Sequence, residues 1–377
     1  MRSVRVLIAD DSVVYRTQIK AALSNLNWVE VVGAASNGKI AIERLQQIQV
    51  DLLVLDLEMP ELNGIDTLKE IAAKNLKCKV LVFSSSSKRG AEITFEALRL
   101  GAHDFIAKPG PVNGDTSLGL NSQPSEMIRA ILEPKIRGLF PEVETTSPDN
   151  VIKVATSENK ENTKYFQVNW DLFRPQILLI ASSTGGPSTL EKIFAELAPP
   201  LSCPILITQH MPPIFTATLA ERIQKLSGIP AKEGVHGETI VPNCIYFAPG
   251  NYHMSITGTK DRACIVLDQG PLQNSVRPAA DPMFESAVRI YRDRCLGIVL
   301  TGMGADGQLG AESIKRANGA VLIQNQESCI VFGMPGAVKS VGAYDKILSP
   351  DEIVGALKEK VAPFEKVLMP MASSGGN

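Results

Sequence analysis

The chain has no apolar run near the roughly 20 residues that cross a bilayer, and it shows no basic stripe. Its 38 basic residues stand against 40 acidic ones, a formal net charge of −2. The first absence argues against direct membrane insertion. The second argues against nucleic acid as a partner, because a surface that tracks phosphates needs clustered Lys and Arg. Cysteine is sparse and scattered: the six at 78, 203, 244, 264, 295 and 329 form no CxxC pair and no Cys/His group at zinc spacing. That distribution suits a reducing compartment. The opening MRSVRVLIADDS meets two carboxylates within a dozen residues, so no secretory signal is expected there and a cytoplasmic location is. Glycine-rich stretches occur in the second half, yet neither GxGxxG nor GxxxxGK[ST] is present. A nucleotide-cradling domain therefore lacks its fingerprint.

What is present is an ordinary globular balance, with 44% hydrophobic and 21% charged residues over 377 positions, long enough for two domains. Short apolar runs alternate with amphipathic stretches. Residues 4–9 (VRVLIA), 29–34, 51–57 (DLLVLDL), 79–84 (KVLVFS) and 104–107 (DFIA) read as strands, with helical patterns between them and a closing helix over 124–139. Apolar strands alternating with helices predict a parallel sheet covered on both faces. The pattern lapses over 141–169, which is polar and aperiodic and reads as a linker. Residues 110–123, rich in Gly, Ser and Asn, read as a flexible loop. Alternation resumes with strands over 177–181, 205–209, 245–248, 264–267, 297–301 and 320–324, and helices over 190–197, 216–227, 282–292 and 307–318. The expected fold class is α/β, two doubly wound parallel-sheet domains, with boundaries 1–140, linker 141–169, 170–368 and a disordered tail 369–377.

In open parallel sheets, ligands sit beyond the carboxyl ends of the strands. In the first unit those ends carry Asp10 and Asp11, then Asp56, Ser84 and Lys108. Three carboxylates on one rim repel each other unless a cation joins them. Oxygen ligands of this kind favour Mg²⁺, which also takes phosphate oxygens. Lys108 offers a point charge for a phosphoryl group and Ser84 a hydroxyl donor. Taken singly, each residue has a plainer role: Asp10-Asp11 could cap the next helix and Lys108 could be a solvated surface residue. All five on the expected strand ends favour a site.

These motifs, with LDLEMPELNG around Asp56 and AKPG at Lys108, make residues 3–140 resemble the response-regulator receiver family, which has a flavodoxin-like fold. The resemblance implies Asp56 as phosphoacceptor and Mg²⁺ held by Asp11, Asp56 and the backbone carbonyl of Glu58, with Asp10 acting through water. It also implies a switch made of Ser84, Phe105 and Lys108, Phe105 repacking on phosphorylation, and a histidine kinase as phosphodonor.

In the second unit, ILLIASSTGGP puts Ser183 just past an apolar strand, where Gly185-Gly186 permits a tight turn into a helix. Helix N-terminal amides there would stabilise an oxyanion. The spacing is not that of the G-x-S-x-G elbow, since Ala181 stands where that motif needs Gly. Of the four histidines, His103 belongs to the first unit, while His236 and His253 lie in polar loops. His210 ends the next strand on the same rim and is the best base. A carboxylate must orient the imidazole. Asp306, in the turn TGMGADGQLG, is the better candidate, and Asp281 in RPAADP looks more like a helix N-cap.

SSTGGP, TQHMPPIFT, YFAPGNYHM, RPAADPMFESA, LTGMGADGQLG and FGMPGAV, in that order over about 168–368, resemble the catalytic domain of the protein-glutamate methylesterases of bacterial chemotaxis, the CheB family. The resemblance implies a Rossmann-like α/β serine esterase with Ser183 as nucleophile, His210 as base then acid, and Asp306 as its orienter. It gives the Met303 N–H a place in the oxyanion hole and Thr184 a supporting one. The implied substrate is a methylated glutamate on a chemoreceptor cytoplasmic domain, hydrolysed without a cofactor. Some relatives also deamidate glutamine. Two departures from the family pattern are Ala181 for Gly, and Gly336 where many members have a basic residue. Asn169–Phe173 (NWDLF) loosely resembles an aromatic docking peptide of receptor tails, although an apolar start to the domain is the plainer reading. Two alternatives are a receiver controlling a silent docking domain and a DNA-binding regulator. The second fits poorly, since the output half shows α/β alternation and no compact basic helix-turn-helix.

Overall fold

The computed structural model describes residues 3–109, 124–146 and 165–361. The flexible loop expected over 110–123, most of the expected linker and the expected tail lie outside the described residues. The first unit runs β1 (Val4–Ala9), α1 (Val13–Ser24), β2 (Val29–Ala35), α2 (Gly38–Gln47), β3 (Leu52–Leu55), α3 (Gly64–Ala73), β4 (Lys79–Ser84), α4 (Lys88–Arg99), β5 (Asp104–Ala107) and α5 (Pro124–Leu139). Its parallel sheet has the order β2-β1-β3-β4-β5, the flavodoxin-like arrangement. Alternate strand residues face opposite layers. Val6, Ile8, Val54 and Phe83 pack with Ile19 of α1 and Leu132 of α5. Leu7, Leu53, Val82 and Phe105 pack with Leu68 of α3 and Phe95 of α4. Helices α1 to α4 start at Ser12, Asn37, Asn63 and Ser87, and each of these side chains accepts a backbone N–H from the first turn.

Pro141–Thr146 forms a short 3-10 turn. The second unit runs β6 (Ile177–Ser182), α6 (Gly186–Ala195), β7 (Ile205–Gln209), α7 (Phe215–Ser227), β8 (Ala231–Glu233), β9 (Ile245–Phe247), β10 (His253–Thr259), β11 (Arg262–Asp268), α8 (Ala280–Tyr291), β12 (Cys295–Val299), α9 (Gln308–Arg316), β13 (Ala320–Gln324), α10 (Gly333–Ser340), β14 (Lys346–Leu348) and α11 (Pro350–Val361). Seven parallel strands lie in the order β14-β13-β12-β6-β7-β9-β8. Helices α6, α7 and α11 cover one face and α8, α9 and α10 the other. The chain leaves β6 toward β7 and later returns to β12 on its other side. The strand order therefore reverses at β6, where ligands bind in such sheets.

The expected strand over 264–267 is part of β11, which belongs to a separate antiparallel hairpin with β10 rather than to the parallel sheet. Apolar content marks it as a strand, and partner choice is not written in a four-residue run. The helix expected from 190 begins at Gly186, directly after the turn that carries Ser183. Trp170 stacks on Phe173 and donates to Glu359, beneath Lys346 and Lys360 on β14 and α11. Trp170 and Phe173 thus anchor the entry to the second unit, while Asn169, Asp171 and Leu172 of NWDLF are exposed.

The two units share a hydrophobic core. The cluster under α3 and α4 continues into the one under α6 and α7, with the Phe105 and Phe215 rings stacked at 4.5 Å.

Candidate active site

The first rim gathers the expected residues. Asp10, Asp11 and Asp56 bring ligand oxygens within 4.8 Å of one another. Lys108 sits 2.9 Å from Asp10 Oδ2 and 2.9 Å from Asp56 Oδ2. Burial pushes the Asp56 carboxyl up to about 6, against the pull of the Lys108 ammonium. Burial alone would lower the Lys108 ammonium, but Asp56 and Asp10 together raise it. Asp10 Oδ2 is buried and, apart from its ionic contact with Lys108, has no hydrogen-bond partner among the described residues. An acceptor left open among three carboxylates fits a hard cation. Ser84 is buried, and among the described residues its hydroxyl reaches only the Gly90 carbonyl, at 3.3 Å. Glu58 donates its N–H toward Asp56 Oδ1 at 3.4 Å. Phe105 is not on this rim. It points into the layer shared with Phe95 and Phe215.

The second rim lies at the strand-order reversal. Ser183 follows β6, and His210 follows β7 directly after the paired residues Ser182 and Gln209. The His210 N–H bonds to the Ser182 carbonyl at 3.0 Å. Gly185 has φ 78°, and a Cβ on Gly186 would lie 2.0 Å from Gln209 Oε1. Only glycine lets the chain turn this tightly beneath Ser183.

His210 Nε2 lies 2.7 Å from Asp306 Oδ2. With Nε2 carrying the proton toward the carboxylate, Nδ1 of a neutral imidazole is the free acceptor. Asp306 is 1% exposed. Its burial would raise the carboxyl, but the His210 hydrogen bond and charge, followed by the Ala280 and Asp281 N–H groups, hold it below the usual carboxylate range. Among the described residues no hydrogen bond joins Ser183 Oγ to His210. The Met303 N–H likewise finds no protein acceptor among them, as an oxyanion donor requires. Thr184 is buried, and its carbonyl accepts from the Thr301 hydroxyl at 2.9 Å. Its own hydroxyl donates across the domain boundary to Asp104.

Three members of this site carry no sequence signal. Gln209, 1% exposed, accepts from the Ser182 hydroxyl at 2.6 Å and donates to the Ser183 carbonyl at 2.9 Å. Asn274 donates to Asp281 Oδ2 and Asp306 Oδ1, both at 3.0 Å. Asp104 accepts from Thr184 and, at 2.6 Å, from Lys135 of α5. Asp281 is not an N-cap: Ala279 occupies that position and Asp281 lies inside the first turn of α8. His253 is buried at the start of β10, bonding the Ala279 N–H and the Pro271 carbonyl. A side chain on Gly307 would meet the Ala181 methyl at 3.3 Å, so that methyl fills the space below the Asp306 turn. Gly336 lies in α10, where a side chain would meet the Phe332 ring.

The CheB methylesterase family profile matches residues 178–357, and that of response regulator receiver domains matches residues 6–114. A protein-glutamate methylesterase/protein-glutamine glutaminase of Trichodesmium erythraeum is 37% identical over 362 residues, 96% of this chain and 100% of that one. A second, of Caulobacter vibrioides, is 38% identical over 350 residues, 93% of this chain and 96% of its own. The crystal structure of the Thermotoga maritima CheB methylesterase catalytic domain is 38% identical, with a TM-score of 0.48 over 49% of this chain and 98% of that chain.

Proposed function

Because the chain belongs to the CheB methylesterase family, in the form that carries a receiver domain ahead of the catalytic one, we propose that Ser183, His210 and Asp306 perform its esterase chemistry under the control of a phosphoryl group on Asp56. The chain is a protein-glutamate methylesterase, a hydrolase that converts glutamyl γ-methyl esters to glutamate and methanol. The observation that carries the residue assignment is the 2.7 Å His210–Asp306 pair beside Ser183 on adjacent strand ends.

In the forward step Ser183 Oγ attacks the ester carbonyl while its proton passes to His210 Nδ1. The carbonyl oxygen takes the negative charge and faces the Met303 N–H, with Thr184 holding the turn. The C–O bond to methanol breaks as His210 returns the proton to the leaving oxygen. Water then attacks the acyl-serine, giving its proton to His210, and Ser183 leaves with that proton. Glutamine would enter the same sequence with ammonia as leaving group. The Asp306 charge stabilises the imidazolium in both steps.

The substrate is a methylated chemoreceptor cytoplasmic helix, the phosphodonor a histidine kinase, and the setting the cytoplasm. No described helix is long and apolar enough to cross a membrane. Asp11, Asp56 and the Glu58 carbonyl, with Asp10 through water, would hold Mg²⁺, which supplies neutralising charge for phosphoryl transfer to Asp56. Lys108 and Ser84 then hold the phosphoryl oxygens.

The unphosphorylated receiver restrains the esterase through contacts near Ser183, after His210 and at Met303. Asp104 takes the Thr184 hydroxyl beside the nucleophile. Phe105 stacks on Phe215, five positions beyond His210. Gly138 of α5 lies against the Met303 side chain. Phosphorylation that draws Ser84 and Phe105 toward Asp56 would loosen all three. Labelling with a fluorophosphonate, with and without a small phosphodonor and Mg²⁺, tests the reading. Labelling that requires Ser183 and rises with phosphodonor supports it. Equal labelling of Ser183→Ala removes the nucleophile assignment, and no labelling of any form favours a silent docking domain.

A further inference from the structure

The helices around the esterase site lack caps of their own. N-cap positions of α6, α7, α8 and α9 are Gly185, Ile214, Ala279 and Gly307, none with a side-chain hydrogen bond. For α8 and α9 the deficit is met by exchange. Asp306, preceding α9, accepts the Ala280 and Asp281 N–H groups of α8 at 2.6 and 3.2 Å. Asp281, in α8, accepts the Gly310 N–H of α9 at 2.8 Å. Asn274 lies between them, one amide hydrogen to each carboxylate, held in a turn where it and Ser275 have φ of 52° and 63°. Asp306 thus accepts four hydrogen bonds, the full complement of a carboxylate.

We propose that Asn274 and Asp281 are positioning residues of the esterase, fixing Asp306 across two helix N-termini so that one of its oxygens faces His210. This rests on the assignment of Ser183, His210 and Asp306 above. Without the amide, two buried carboxylates face each other directly, and where both are ionised rotation of Asp306 away from His210 relieves the repulsion. Burial and the Asp306 charge already push the Asp281 carboxyl up to about 6. The charged group facing it is Asp306 before α9; His210 after β7 reaches Asp306 itself, and His253 on β10 holds the Ala279 N–H and the Pro271 carbonyl. Helix α9 offers Asp281 backbone N–H groups, and the nearby Arg277 guanidinium is held by Asn251 and by the Gln269 and Gly270 carbonyls.

The test uses the full chain treated with a small phosphodonor and Mg²⁺. Readouts are methanol release from a methyl-esterified receptor fragment and the rate of fluorophosphonate labelling. Asn274→Ala is expected to lower kcat at least about tenfold at unchanged KM. Adding Asp281→Asn to it is expected to restore most of that loss, because the repulsion that turns Asp306 away is gone. A merely structural role gives no such rescue. Asp281→Asn alone, which also serves if Asn274→Ala fails to fold, is expected to move the acid limb of the kcat/KM profile to lower pH, since a negative charge behind the orienter is removed. A folded Asn274→Ala with wild-type kcat, or an unmoved acid limb in Asp281→Asn, overturns the proposal while leaving wild-type labelling of Ser183 intact. Loss of Ser183-dependent labelling in the wild type would instead overturn the site assignment, and this inference with it.

Discussion

At the scale of single residues, the proposed site holds one buried carboxylate charged. Asp306 is shielded from solvent, which alone favours its neutral form, yet His210 and two helix N–H groups keep it ionised. Asp306→Asn keeps the shape but offers one acceptor oxygen where two are used, and it no longer stabilises an imidazolium. A loss of kcat of about 10³–10⁴-fold is expected, measured as methanol release, with KM little changed. Asp281 behaves oppositely. Its carboxyl is raised from 3.8 to about 6 in the folded state, by burial first and by the Asp306 charge second. The folded chain therefore binds that proton more tightly than the unfolded chain does. The resulting destabilisation is absent below pH 3.8, sets in as pH rises, and is complete above about 6. Asp56 titrates in the same window, so the difference between wild type and variant is what isolates Asp281. Relative to wild type, the melting temperature of Asp281→Asn should rise between pH 4 and pH 7. A constant difference across that range would show that Asp281 is not raised.

At the scale of elements, what the sequence makes legible is the strand that is apolar on both sides and the residue that follows it. Ile177–Ser182, Ile205–Gln209 and Cys295–Val299 are buried throughout, so their apolar runs are unbroken and their ends stand out. Ser183, His210, Asp56 and Lys108 are each found from such an end. Elements lacking that signature stay hidden: β8 and β14 have three residues each, and β10 mixes small and polar residues. Asn274, Gln209 and Asp104 are hidden for a different reason. Their roles depend on partners 7 to 80 positions away, and no local periodicity encodes such a pairing. Asp345 is another such joint. It receives the Lys315 ammonium of α9 at 2.6 Å, the Val321 N–H of β13 at 2.7 Å and the Val168 N–H at 3.1 Å. The Lys315 side chain is fully buried, so removing its partner leaves a charge without solvent. Asp345→Ala is expected to destabilise the second unit by about 3–5 kcal/mol, measured by urea unfolding. Lys315→Met in the same background should recover much of the loss, because the stranded charge is gone.

At the scale of the whole molecule, the question is how much free energy the receiver must supply to restrain the esterase. A hundredfold difference in activity requires only about 2.7 kcal/mol between closed and open arrangements. The contacts across the boundary are of that order. The Phe105–Phe215 stack contributes about 0.5–1.5 kcal/mol beyond its burial, and a buried hydroxyl on a carboxylate such as Thr184–Asp104 about 1.5–3 kcal/mol. The Lys88–Glu221 pair, 62% and 59% exposed, adds little. Asp104 is therefore the larger single restraint outside the aromatic layer. Asp104→Ala leaves the buried Thr184 hydroxyl and Lys135 ammonium without their acceptor while the domains are packed together, and both regain water when they separate. The variant should raise basal esterase activity of the unphosphorylated chain about tenfold or more, and lower by the same factor the stimulation given by a phosphodonor. Excision to residues 165–361 removes all three contacts and should equal or exceed the variant. If the excised domain is no more active than the unphosphorylated full chain, the receiver does not act by restraint. The Thr184–Asp104 bond would then be an ordinary piece of domain packing.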